Sequence, residues 1–165
     1  MKNTWIILIQ LTLVVVAFMA CKNDDMETVE TIKSRAQEDI KTPDTTVNRL
    51  ILQIGEKTFS ATLANNATVT AFKARLPLTI SMDELNANEK YYRFSGNLPS
   101  NPSNPGRIEN GDIILYTSNT LVLFYETFST SYTYTRIAKI DDVSGLKAAL
   151  GSGNVTVLFS LDKTN

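Results

Sequence analysis

After Val47 the apolar residues of this chain recur at short intervals, and the commonest interval is two. In the run Lys57–Leu63, Phe59, Ala61 and Leu63 alternate with Thr58, Ser60 and Thr62. That period turns one face of a strand to a core and the other to solvent. Arg49–Ile54 is a second strand-like run, and Gly55-Glu56 between the two fits a two-residue hairpin loop with glycine first. Asn65 or Asn66 is placed to cap a short helix over 67–76, which Pro77 terminates. Val69, Phe72 and Leu76 share one face of that helix. Segments 78–82, 90–94, 112–116, 121–125, 134–140 and 154–161 read as further strands. Thr117-Ser118-Asn119-Thr120 joins two of them as a hairpin. Residues 96–111, with Pro99, Pro102 and Pro105, read as a surface loop. Asp141 or Asp142 opens a helix over 143–150, and Gly151 stands at its C-cap position. The pattern predicts a mainly β domain over 47–163, a small closed barrel of about eight strands with two short helices.

The start of the chain follows another pattern. Residues 5–18 (WIILIQLTLVVVAF) are apolar except for Gln10 and Thr12, Lys2 precedes them, and Met19, Ala20 and Cys21 lead into Lys22-Asn23-Asp24-Asp25. A positive start, an apolar core and a small residue before the cleavage point are the physical needs of a secretory signal. The apolar core is shorter than the roughly 20 residues a spanning helix needs. The cysteine after the small residue makes the segment resemble a bacterial lipobox, with Phe18 where leucine is usual. The expectation is a signal peptide over 1–20 and lipidation of Cys21 as the first mature residue. The CKNDD start is similar to the acidic export signals of Bacteroidetes surface lipoproteins. This reading anchors the protein to a membrane of the cell envelope, the outer membrane, through the lipid on Cys21.

Charge separates tether from domain. Residues 22–46 carry four basic and seven acidic side chains, whereas 47–165 carry eleven and ten. The acidic, apolar-poor segment 21–46 reads as a flexible tether, with helical spacing from Met26 to Ile40 and Pro43 ending any helix. The mature chain of 145 residues holds one core. Cys21 is the only cysteine, so no intramolecular disulfide forms, and there is no histidine. The missing histidine removes His-based acid–base catalysis, Ser-His and Cys-His pairs, and nearly all zinc, copper and non-haem iron sites. No carboxylate loop of EF-hand spacing appears. A formal net charge of -1 gives no electrostatic case for nucleic acid. The expectation is no cofactor, no metal and a monomer.

Four segments carry a resemblance: ATLANNATVTAFKARLPLTISM at 61–82, NEKYY at 88–92, NPGRIENGDIILY at 104–116 and LVLFYETFSTSYTYTRIAKIDD at 121–142. Together they resemble the bacterial cyclophilin-like domain family over residues 49–160. The resemblance implies a small closed barrel flanked by two helices. Prolyl isomerases of the cyclophilin type use an arginine in a Phe-His-Arg run, with a glutamine, a tryptophan and a histidine. Here the nearest run is Tyr91-Tyr92-Arg93-Phe94, which has tyrosine in place of histidine, and the only tryptophan is Trp5. Arg93 is therefore the one catalytic candidate, and most of that site is missing.

The residues themselves offer two constellations. The densest runs from Phe124 and Tyr125 through Phe128, Ser129, Thr130, Ser131, Tyr132 and Tyr134 to Arg136, a Ser-, Thr- and Tyr-rich loop between two strands. Such loops carry binding surfaces on rigid scaffolds; the alternative is core and hairpin packing. The second is Tyr91-Tyr92-Arg93. Neighbours on a strand face opposite ways, so Tyr91 and Arg93 share one face and Tyr92 is left to packing. The candidate ligand-binding residues are Tyr91, Arg93, Tyr125, Ser131, Tyr132 and Arg136. Asp83-Glu84 and Glu89 bracket a turn. Gly151-Ser152-Gly153 follows a helix rather than preceding one, which is the wrong geometry for an anion. Three functions fit: a non-catalytic module binding a peptide or small ligand, a residual or divergent prolyl isomerase, or an interaction subunit for another envelope protein.

Overall fold

A computed structural model of the chain describes residues 48–163. The signal peptide over 1–20, Cys21 and the tether over 21–46 lie outside the described residues. Strands β1 (Arg49–Ile54) and β2 (Lys57–Leu63) form the expected hairpin, with Gly55 at φ +56 in its turn. Helix α1 (Ala67–Lys73) follows, capped by Asn66, whose Oδ1 accepts the Val69 N–H at 2.9 Å. The helix ends three residues short of the expected 76, because Pro77 disfavours helical backbone at Leu76, which packs on the core from a loop instead.

Strands β3 (Leu78–Leu85), β4 (Glu89–Arg93), β5 (Arg107–Ile108), β6 (Asp112–Tyr116), β7 (Thr120–Phe124), β8 (Phe128–Ser129) and β9 (Tyr134–Ile140) come next. Helix α2 (Leu146–Leu150) and strand β10 (Val155–Leu161) complete the domain. Eight strands close into an antiparallel barrel in the order β1-β10-β3-β4-β7-β6-β9-β2, and β5 pairs only with β8. That ribbon lies within two stretches expected to be irregular. Helix α2 starts after Gly145, not at an aspartate. Asp142 Oδ1 instead accepts the Ser144 N–H at 2.9 Å in a turn ahead of the helix. Asp141 faces β2, accepting the Ser60 and Thr62 hydroxyls at 3.1 and 2.7 Å.

The barrel interior is apolar. Leu50, Leu52, Phe59, Met82, Leu121, Leu123, Val157 and Phe159 fill it, and both helices add to the same core through Val69, Phe72, Leu146 and Leu150. Gly111, at φ +90 just before β6, packs under the loop after β9; a Cβ there would stand 2.6 Å from Val143 Cγ1. One charged side chain joins this interior. Lys90, fully buried, pairs with Glu84 Oε2 and donates to Gly151 O at 2.9 Å and Gly153 O at 2.6 Å. Burying an ammonium costs several kcal/mol, and the use of all three donors offsets that cost. The Tyr125 hydroxyl donates to Glu84 Oε1 at 2.7 Å, and its ring lies 5.5 Å from Lys90 Nζ. Gly151-Ser152-Gly153 thus presents carbonyls to a cation, in keeping with its failure to suit an anion.

Candidate functional site

A second apolar cluster sits outside the barrel. Strands β4, β7 and β6 run side by side, with Tyr91 opposite Val122 and Val122 opposite Ile114. On these strands every other side chain points away from the interior, so Tyr91, Val122, Phe124 and Ile114 make an apolar outer wall. A β-bulge between Ile113 and Ile114 shifts the pairing of β6 with β9. The β5–β8 ribbon lies over part of this wall, with Ile108 buried and Phe128 5.3 Å from the Phe124 ring. Tyr134 of β9 completes the cluster, 6.1 Å from Phe124.

Where the ribbon leaves the wall uncovered, a cleft of about 710 Å³ opens. Its floor is β4 and β7: Glu89, Tyr91 and Arg93 in one row, Phe124, Val122 and Thr120 in the next. Its roof is the chain from Phe128 to Tyr134. One end is the β3–β4 turn, with Leu85, Asn86 and Asn88; the other is the β6–β7 turn, with Tyr116, Thr117 and Asn119. Both turns hold non-glycine residues at positive φ, Asn86 and Ala87 at +57° and +55° and Thr117 at +55°. For a β-branched threonine that conformation is strained, a cost of roughly 1–3 kcal/mol of the kind met at binding sites. Among the described residues three large hydrophobic side chains are exposed, Leu85 at 42%, Tyr116 at 39% and Tyr132 at 63%, and all three line this cleft. Leu85 stands at the β3–β4 end and Tyr116 with Tyr132 at the β6–β7 end, so the rim is apolar or aromatic at both ends.

The cleft is electrically polarised. At the β3–β4 end, burial raises the Glu89 carboxyl from its ordinary 4.5 to about 7, with the Glu84 charge adding to the shift. Glu89 has neither a hydrogen-bond nor an ion-pair partner among the described residues. Beside it the side-chain oxygen of Asn88 is buried and unpartnered. At the other end the Arg93 guanidinium is exposed and lies over the Tyr91 ring, 5.8 Å from its centroid, with no ion-pair partner among the described residues. Burial also raises the Tyr134 hydroxyl, against a weak opposing contact from Thr130 at 3.5 Å.

Of the residues expected in a site, Tyr91, Arg93, Ser131 and Tyr132 converge on this cleft. Tyr92 turns inward, 5.3 Å from Phe94. The other two do not join them. Tyr125 is buried at the barrel end against Glu84; burial, then the bond to Glu84, holds its hydroxyl protonated far above the ordinary tyrosine range. Arg136, two residues beyond Tyr134 on β9, lines a separate small pocket with Asp112 and Ser103. Glu89 and Tyr116 belong to the site and were not expected there. The parity that joined Tyr91 to Arg93 also reaches Glu89. Among the described residues no group of three carboxylate or thiol side chains is placed to hold a metal.

Comparison with known proteins gives one family. The sequence profile of the cyclophilin-like family matches residues 52–160, from β1 into β10. No curated protein matches the chain.

Proposed function

Since the chain belongs to the cyclophilin-like family, we propose that it is a binding module of the cell envelope, anchored by a lipid on Cys21. Its outer cleft takes a peptide or small polar ligand without transforming it. The observation that carries this reading is the 710 Å³ cleft itself, floored by Tyr91 and Arg93 and rimmed by the exposed Leu85, Tyr116 and Tyr132. Its size falls within the roughly 300–1,000 Å³ of ligand clefts, and its lining mixes aromatic and apolar side chains with polar ones such as Glu89, Arg93, Asn119 and Ser131, as a peptide or polar ligand requires. The chain has no histidine to move a proton. The envelope anchor rests on the sequence of residues 1–25 alone.

Prolyl isomerisation is the second reading, and one observation favours it. Arg93 lies in the cleft floor, where a guanidinium can clamp a prolyl carbonyl against a barrier of about 20 kcal/mol. An isomerisation assay on a short X-Pro peptide, run with the full chain in detergent and with Arg93→Ala, separates the two. The expected rate equals that in buffer for both proteins, while binding of the peptide by calorimetry weakens at least tenfold in Arg93→Ala. A rate above buffer that disappears in Arg93→Ala overturns the non-catalytic reading.

A further inference from the structure

The two ends of the cleft ask for opposite partners. Glu89 puts a carboxyl group with no side-chain partner among the described residues at the β3–β4 end, lining the cleft, where a donor brought in by a ligand can pair with it. Arg93 puts an unpaired fork of N–H donors at the β6–β7 end, a geometry that matches a carboxylate. Between them the floor is Tyr91 with Val122 and Phe124, and the roof runs from Phe128 through the polar Ser129, Thr130 and Ser131. Glu89 and Arg93 stand four residues apart on one strand, which sets their Cα atoms about 13 Å from each other. An extended chain of about four residues covers that span.

The geometry points to a short peptide with free ends, of about three to five residues, lying along β4. Its ammonium is received by Glu89, its middle side chain by Tyr91 and Phe128, and its carboxylate by Arg93. This ligand class rests on the reading of the cleft as a binding groove. Several features agree on the orientation. Lys90, the cation next to Glu89 on β4, is bound to Glu84 and does not pair with Glu89. The rim residues Tyr116 and Tyr132, in edge contact at 6.1 Å, stand at the Arg93 end and leave its guanidinium open to solvent. A ligand charged alike at both ends would leave one of the two groups facing its own sign.

The test is calorimetric titration of the full chain in detergent with the tetrapeptide alanyl-phenylalanyl-alanyl-alanine in three forms: free, N-acetylated and C-amidated. The free form is expected to bind best, and each blocked form to bind about tenfold more weakly, the size of one lost charge-assisted hydrogen bond. Glu89→Gln should erase the difference between free and acetylated peptide and leave the penalty for amidation. Arg93→Gln should do the reverse. Both side chains point away from the barrel core, and thermal unfolding checks that each variant is folded. Equal binding of all three forms overturns the recognition of peptide ends and leaves the groove standing. No binding of any form by the folded chain overturns both readings.

Discussion

Glu89 shows how far one side chain can be followed. It shares a strand face with Arg93 and lines the cleft with Tyr134 of β9, and burial, with the Glu84 charge adding to it, lifts its carboxyl from 4.5 to about 7. A carboxyl whose folded pKa exceeds its unfolded value holds its proton more tightly when folded. The stability it contributes is therefore complete below about pH 4.5, declines as pH rises, and is gone above about 7. Glu89→Gln is expected to match the wild type near pH 4 and to exceed it by about 1 kcal/mol near pH 8, a figure reduced for the half-exposed carboxyl. Urea unfolding at the two pH values measures it, and equal stability at both would show that Glu89 is solvated. The sequence made Tyr91 and Arg93 legible because alternation is local. It left Glu89 as a turn-flanking acid, since its roof comes from Phe128 and Tyr134, some forty positions later. Tyr125 was misplaced for the same reason: its partner Glu84 is 41 residues distant.

At the scale of elements, strand-like runs gave the bounds of β1, β2, β6 and β9, with alternation plain in β2, while β6 is buried on both faces. Such runs could not reveal β5 and β8. Each has two residues, too few to show a period, and their pairing of Ile108 with Phe128 joins segments that looked like separate loops. Yet this ribbon decides the site, because it covers one half of the outer apolar wall and leaves the other half as the cleft. Ile108 is its anchor, 1% exposed against Ile114, Val122 and Phe124. Ile108→Ala is expected to cost about 2–4 kcal/mol by thermal unfolding. Hydrogen exchange should speed up over Phe128 to Ser131 while β1, β2 and β10 keep their protection. Uniform loss of protection would mean that the ribbon and barrel unfold as one unit.

For the whole molecule, the number of barrel strands and of helices was legible, and the order around the barrel was not. Count follows from local pattern, whereas the adjacency of β1 to β10 and of β4 to β7 is set by which faces close over one core. The segment before the domain rests on composition and pattern alone: an apolar stretch at 5–18, one cysteine in the chain, and seven acidic against four basic residues over 22–46. Among the described residues no helix is long and apolar enough to cross a membrane, so the attachment we propose would rest on another part of the chain or on a lipid. Cys21 offers the second route. A single acyl chain gives only marginal membrane binding, and durable anchoring takes more than one. Metabolic labelling with a palmitate analogue in a bacterial host is expected to mark the wild-type chain and to leave Cys21→Ala unlabelled and released from the membrane fraction. Equal labelling of the two would refute the anchor, and the cleft would then have to be tested as that of a protein held by other means.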